Sequence, residues 1–357
     1  MVMIMVMVIG LWQSLAAVQK LNWSELPASV TDFRTGLTTG QLEKKLDQQM
    51  PARDHLIAWA NGLRYTLLRG SNDQVRAGKD GWLFLTEELK YDPNGLQNMA
   101  TRVELVSRVS TLLFQKNIQL VVALVPDKAR LYQDKLAIDS YTITNQSRYA
   151  EALRQMQTAR IAVVDLHTPL KQSRLKEAVY YTTDTHWNQT GARLAAQAIA
   201  EHVKGLGVPL KKTDFSTSLA ATATQRPGDL TRLMGLHTLP TYFQPKADVE
   251  AEAATRQLGD GGGAGLFGDN TLSAVLTGTS YSLRGNFHGY LQQSLATQTL
   301  NAAQDGSGFF QAIQNYLKDD AFKSSPPVLV VWELPERFLT LPLAQEKDFA
   351  AFLAKLR

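Results

Sequence analysis

The sequence predicts a doubly wound α/β fold, a parallel sheet covered by helices on both faces. Three observations predict it. Residues 120–125, 161–166, 272–277 and 328–332 are short apolar runs, rich in β-branched side chains and without polar alternation, as strands buried on both faces require. Helical patterns lie between them, over 145–158, 189–204, 287–295 and 308–317. The turns Pro126-Asp127-Lys128, Gly278-Thr279-Ser280 and Glu333-Leu334-Pro335 fall at the carboxyl ends of runs, where such sheets bind ligands.

Composition supports a large core. The chain has 357 residues, 44% apolar and 20% charged, enough for one large domain and an addition. The net charge of +4 includes no Lys/Arg run resembling a nucleic-acid arm. No nucleic-acid partner is therefore expected, and the charge reads as a solvated surface compatible with an anionic polymer. The absence of cysteine excludes disulfides, a thiol nucleophile and thiolate metal sites.

In chain order, residues 1–18 are apolar apart from Gln13 and Ser14, and as a helix would extend ~27 Å, near the short limit for crossing a bilayer. They read as a signal peptide or N-terminal membrane anchor, although no Lys or Arg precedes Lys20. Export to the periplasm is expected, with anchoring to the inner membrane left open. Residues 19–75 read as a polar, helical lead-in. The main domain is expected over 76–345. It begins with a Lys-Asp-Gly turn at 79–81 feeding an apolar strand, and continues with a helix over 101–116 carrying Val103, Val106, Val109 and Leu112 at helical spacing. Residues 205–271 break the alternation. This insertion contains Gly228-Asp229-Leu230 and a glycine-rich run at 259–265, and is expected to border or cover the site. Residues 346–357 read as a C-terminal helix.

The chemistry concentrates in Thr183-Asp184-Thr185-His186-Trp187 and Gly278-Thr279-Ser280-Tyr281-Ser282. Together they supply a carboxylate, an imidazole and a hydroxyl. A serine hydroxyl is a weak nucleophile at neutral pH and needs an adjacent base, which a third group must orient. Ser280 stands at the strand-to-turn junction after a small glycine that permits a tight turn. Ser282 competes for the role, and Thr279 is a lesser rival. His186 would be the base and Asp184 its partner. Asp184 is also a natural helix cap, with Asn188 or Thr190 as further caps. No other histidine forms a ligand-spaced cluster with His186, so no metal is expected. Lys128 and Arg337 lie near strand ends, and Trp187 and Tyr281 flank the motif. These four are the expected substrate-binding residues, against ordinary packing or ion pairing for each.

An Asp-x-His pair on one loop with the serine after a separate strand is the habit of SGNH hydrolase-like enzymes. Further segments occur in order: Gly-Lys-Asp-Gly-Trp-Leu-Phe at 78–84, Val-Pro-Asp-Lys-Ala-Arg-Leu-Tyr at 125–132, Gly-Asp-Leu at 228–230, Asn-Phe-His-Gly at 286–289 and Trp-Glu-Leu-Pro-Glu-Arg at 332–337. The series resembles the AlgJ/AlgX family of alginate O-acetyltransferases, whose relatives include cellulose acetylating proteins. The resemblance implies an SGNH hydrolase-like doubly wound sheet in which Asp-x-His precedes the serine, with Ser280 as nucleophile, His186 as base and Asp184 as its partner. The short segment after Arg337 suggests the single-domain AlgJ type rather than members with a carbohydrate-binding module.

The expected activity is O-acetylation of an exopolysaccharide in the periplasm through a serine-bound acetyl. No nucleotide motif for acetyl-CoA is visible, and no cofactor is expected. The resemblance implies a membrane-bound O-acyltransferase as acetyl donor, with other polysaccharide biosynthesis proteins as partners. A carbohydrate acetylesterase with the same three residues, and a non-catalytic polysaccharide-binding or assembly protein, are the alternatives.

Overall fold

A computed structural model describes residues 2–27, 29–51, 53–137, 141, 143–258, 272–344 and 346–356. The chain divides into two compact units: residues up to Asn72 together with Thr231–Pro245, and Asp73–Leu230 together with the chain from Lys246 onward.

In the first unit, Val2–Gln19, Val30–Arg34, Leu37–Gln49 and Arg53–Leu68 are helical. Ser29 starts the second of these with a reciprocal cap, its hydroxyl accepting from Asp32 N while the Asp32 carboxylate accepts from Ser29 N. Arg53–Leu68 is held by Asn61 Nδ2, which donates to the Met234 carbonyl (2.9 Å), and by Trp59, which meets Phe243 edge-on at 5.1 Å. Among the described residues no helix is long and apolar enough to cross a membrane, and the side chains of residues 1–9 lie outside the description.

The second unit opens with strands β1 (Val75–Ala77) and β2 (Leu83–Leu85), an antiparallel pair around the Lys-Asp-Gly turn. There follow β3 (Gln119–Val125), β4 (Val163–Asp165), the long β5 (Phe215–Arg226) and β6 (Asp248–Gln257), then β7 (Ala274–Thr277), β8 (Thr299–Asn301) and β9 (Leu329–Pro335). Five of these make one parallel sheet in the order β4-β3-β9-β7-β8. The doubly wound fold expected from the sequence is present. The four apolar runs became β3, β4, β7 and β9; β8, only three residues long, was not foreseen.

Strand periodicity explains the two cores. Val121, Ala123 and Val125 of β3, with Leu329 and Val331 of β9, face the helices Gln189–Leu206 and Phe287–Leu295. Leu120, Val122 and Leu124, with Val330 and Trp332, face Gly95–Phe114, Ile143–Thr158 and Gln311–Lys318. Leu124 is fully buried, and truncating such a leucine to alanine costs about 2–5 kcal/mol. Arg102 ties the Glu346–Lys355 helix to this layer through a buried ion pair with Glu346 (2.6 Å).

Within the insertion, residues 215–226 and 248–257 form an antiparallel ribbon. β5 and β6 pair over most of their length, with an irregularity between Leu219 and Ala223. The glycine-rich run at 259–265 lies outside the described residues.

Candidate active site

The Ser280 side of the site is built by the parallel sheet. β7 ends at Thr277, and the chain passes so close to β9 that a Cβ on Gly278 would lie 2.5 Å from Glu333 Oε2 and 2.8 Å from the Glu333 carbonyl oxygen. Only glycine fits there. The chain then enters a single helical turn, Ser280–Leu283, capped by the Thr279 hydroxyl, which accepts from Tyr281 N (3.3 Å). Glu333 is fully buried under this turn. It accepts from Thr279 N (2.6 Å), Thr279 Oγ1 (3.0 Å) and Ser282 Oγ (3.1 Å). Burial raises its carboxyl above the ordinary range, against the pull of those hydrogen bonds. Thr279 and Ser282, the rival hydroxyls, thus serve Glu333. Ser280 points the other way, its Oγ 2.7 Å from His186 Nε2.

His186 sits on a turn closed by a bridge between Tyr180 and Trp187. Beyond it, Asn188 caps the Gln189–Leu206 helix by accepting from Gly191 N (3.0 Å), so the cap expected near His186 is Asn188. Asp184 Oδ1 accepts from His186 Nδ1 (2.6 Å) and His186 N (3.0 Å). Burial alone would raise the Asp184 carboxyl, but the hydrogen bond and charge of His186 outweigh it and hold the group well below the usual carboxylate range. An ionised carboxylate only accepts. The proton therefore lies on Nδ1, and Nε2 is left to accept from the Ser280 hydroxyl.

Two further contributions fix this turn. From the sheet side, Lys128 Nζ donates to the carbonyls of Leu83 (2.6 Å), Thr182 (2.9 Å) and Asp184 (3.0 Å). Burial lowers its amine to about 8, while neighbouring carboxylates, Glu88 and Asp184 first among them, oppose the shift. From the ribbon, Asp248 accepts from Thr182 N (2.7 Å), Thr183 N (3.0 Å) and Thr183 Oγ1 (2.7 Å). Glu250 accepts from the Tyr181 hydroxyl and from Gln189 N (3.1 Å). Arg226 Nη2 lies 3.8 Å from Asp184 Oδ2, with its guanidinium over the Tyr181 ring.

The structure buries all four of the expected substrate-binding residues. Lys128 is fully buried, its ammonium committed to three carbonyls, and so holds the Asp184 turn. Trp187 is fully buried between Tyr281 and Phe287, in ring contacts of 5.1 and 4.7 Å. Tyr281 is fully buried too and donates its hydroxyl to the Thr185 carbonyl (3.0 Å). Arg337 is 5% exposed, lies over the Tyr281 ring and pairs with Glu87 (3.3 Å) and Asp127 (3.5 Å). Aromatic and basic residues beside a catalytic motif are pulled into the core because the turn itself is buried.

Asp184, His186 and Asp229 offer ligand atoms within 4.8 Å of one another, the spacing a cation would need. Both His186 nitrogens are nonetheless already engaged, one by Asp184 and the other by Ser280. Sequence reasoning missed the structural carboxylates. The sequence places Glu333 only in a turn at a strand end, and gives Asp229 and Asp248 no role. An acid directly after Gly228 in an otherwise irregular segment was the available signal for Asp229.

A hydroxyl, an imidazole and a carboxylate aligned at the carboxyl ends of a five-stranded parallel sheet define an SGNH hydrolase-like α/β protein. Residues 75–336 match the family described as SGNH hydrolase-like domain, acetyltransferase AlgX. The chain is 33% identical over 335 residues to a probable alginate O-acetylase AlgJ of Azotobacter vinelandii, covering 92% of this chain and 86% of that one. It is similarly 33% identical over 344 residues to its Pseudomonas aeruginosa counterpart, covering 92% and 87%. The solved O-acetyltransferase domain of Pseudomonas putida AlgJ superposes with a TM-score of 0.69 at 33% identity, covering 79% of this chain and 99% of that one. The protein belongs to this SGNH hydrolase-like acetyltransferase family and is an acetyltransferase.

Proposed function

We propose that the protein O-acetylates an alginate-like bacterial exopolysaccharide in the periplasm, with Ser280 carrying the acetyl group, His186 moving the protons and Asp184 holding His186. The observation that carries this reading is the unbroken hydrogen-bonded series Asp184–His186–Ser280 at 2.6 and 2.7 Å. The names of the relatives at 33% identity support the polymer class.

In the first half-reaction, His186 Nε2 takes the Ser280 proton as Oγ attacks the acetyl carbonyl of the donor. Nε2 then returns the proton to the leaving atom of the donor as its bond to the carbonyl breaks, and acetyl-Ser280 remains. In the second, a sugar hydroxyl gives its proton to Nε2 and attacks acetyl-Ser280. The Ser280–acyl bond breaks and Oγ recovers the proton. Ionised Asp184 stabilises the imidazolium formed in each half. A membrane-bound O-acyltransferase is the proposed donor, acting with other polysaccharide biosynthesis proteins. Residues 1–18 would direct export or anchor the chain to the inner membrane, which their apolar composition supports. A periplasm-dependent reporter fused after the chain should lose activity when residues 1–18 are removed; a reporter indifferent to the deletion would overturn this part.

The test of function follows acetylated oligosaccharide and free acetate together by mass spectrometry, with an activated acetyl ester as donor. The native protein should acetylate uronate oligosaccharides, and Ser280→Ala should lose both products by several orders of magnitude. Steady acetate with no acetylated sugar would convert the reading to an acetylesterase. An active Ser280→Ala would remove Ser280 from the mechanism.

A further inference from the structure

Asp184 is not the only carboxylate at His186. The ribbon strand β5 ends at Arg226, and the chain then turns through Pro227-Gly228-Asp229 onto the Asp184 turn. The approach is close enough that a Cβ on Gly228 would lie 1.9 Å from the Thr183 carbonyl oxygen and 2.6 Å from Asp184 N. Two reciprocal hydrogen bonds result. Asp229 N donates to Asp184 Oδ2 (3.1 Å), and Asp229 Oδ1 accepts from Thr185 N (2.7 Å). The remaining oxygen, Oδ2, lies 3.6 Å from His186 Nδ1.

Resting on the proposed role of His186 as base, we propose that Asp229 is a second positioning carboxylate, which clamps the Asp184–His186 turn and adds negative charge beside the imidazolium that forms in each half-reaction. Its backbone N–H satisfies the Asp184 oxygen that His186 does not use. Its carboxylate fixes the Asp184–Thr185 peptide, directly before His186. Rotation of the Asp184 carboxyl is thereby opposed from the side away from His186.

The surrounding charges give this arrangement a direction. The carboxyl groups of Asp184 and Asp229 face His186. Arg226 stands 3.8 Å from Asp184, the Lys128 ammonium lies beneath the Asp184 carbonyl, and the Tyr281 ring packs edge-on at 4.8 Å. Ser280 is the neutral partner on the far nitrogen. Burial raises the Asp229 carboxyl, and the Asp184 charge adds to that, while His186 opposes both. An imidazolium therefore favours the ionised form of Asp229, so its charge is strongest when the transition state needs it. The side chain is 35% exposed, which tempers this field by solvent screening.

The test separates charge from scaffold. Asp229→Asn keeps an oxygen for Thr185 N but removes the charge, whereas Asp229→Ala removes both. Release of acetate from an activated acetyl ester is followed as kcat/KM against pH, with thermal melts to verify folding. Asp229→Asn should lower the plateau about tenfold and move the acid limb about one unit to lower pH, because the protonated imidazole loses a favourable neighbour; one pK unit corresponds to a factor of ten. Asp229→Ala should lose more, through the freed Thr185 peptide. An Asp229→Asn variant with the native rate and native acid limb would overturn the proposal. Equal losses in both variants with no movement of the acid limb would also overturn it, since Asp229 would then be merely structural. If instead His186→Ala and Ser280→Ala retain full turnover, it is the catalytic reading of those residues that fails, and the two failures are distinguishable.

Discussion

The two halves of the site are held by different kinds of structure. Ser280 leaves a parallel strand, and its turn rests on Glu333, a residue of the neighbouring central strand that is fully buried. Asp184 and His186 occupy an irregular turn, fixed from the sheet side by Lys128 and Tyr281 and from the other side by Asp248 of the largely exposed β5–β6 ribbon and by Asp229 just beyond β5. Ser280 is placed by the core, His186 by the core and an excursion from it together. A position that depends on packing shares the cooperativity of the whole fold. Hydrogen bonds supplied by the partly exposed side chains of a ribbon can be lost with little change in global stability.

The largest effects should come from the two close-approach glycines. Gly278→Ala drives a methyl group into Glu333 and Gly228→Ala drives one into the Thr183 carbonyl. Both variants should lose activity on an acetyl ester by about a hundredfold or more, the usual result when catalytic groups are displaced by about 1 Å. Thermal melts should separate them. Gly278→Ala should be destabilised by about 1–3 kcal/mol, as overpacked cores are, and Gly228→Ala by clearly less. Equal destabilisation would show that the ribbon is as much part of the cooperative core as the sheet.

A smaller contrast is expected between Glu333→Ala and Asp248→Ala. Removing Glu333 orphans Thr279 N and two buried hydroxyls, at about 1–3 kcal/mol for each buried group left unsatisfied. Asp248 also serves three donors, but it is only half-buried, so water can replace it at a cost of about 1 kcal/mol. Urea unfolding measures both. A loss in Asp248→Ala as large as in Glu333→Ala would break the comparison.

The smallest effect concerns pH. Glu88 is fully buried under the Lys128 turn and accepts from Ala129 N (2.8 Å). Burial, with the charge of Asp127, pushes its carboxyl up to about 8. Between the ordinary glutamate value near 4.3 and that raised value, the folded state holds a proton that the unfolded chain has released. Stability from this group is therefore present at low pH and lost as pH rises toward about 8. Glu88→Gln mimics the protonated form, so its melting temperature should fall less than that of the native protein across the same range. A Glu88→Gln variant whose melting temperature tracks the native curve would show that Glu88 is not the group responsible.

Much of the scaffold was legible because it follows from periodicity. The apolar runs at 120–125 and 328–332 announced β3 and β9, and residues 287–295 were bounded correctly as a helix. The β5–β6 ribbon was not read as strands, although Phe215, Thr217 and Leu219 alternate with other residues; its long exposed faces lack the apolar run that marks a buried strand. The site was legible as far as its residue types. Ser280, His186 and Asp184 do meet, and Ser280 was the hydroxyl chosen along the chain, but what keeps Thr279 and Ser282 away from His186 was not legible there. That is done by Glu333, more than fifty positions later, which draws the Thr279 and Ser282 hydroxyls inward.

By itself the sequence determined the layered fold, the chemical kinds of residue available and their order, because strand and helix periods and the chemistry of side chains are local properties. Tertiary structure decided which groups face the reaction. Lys128, Trp187, Tyr281 and Arg337 looked like ligands beside a motif and are buried supports, while Asp229, on an insertion without strong pattern, lies 3.6 Å from the base. Burial and approach depend on which distant segments close over a turn, and local periodicity does not encode that.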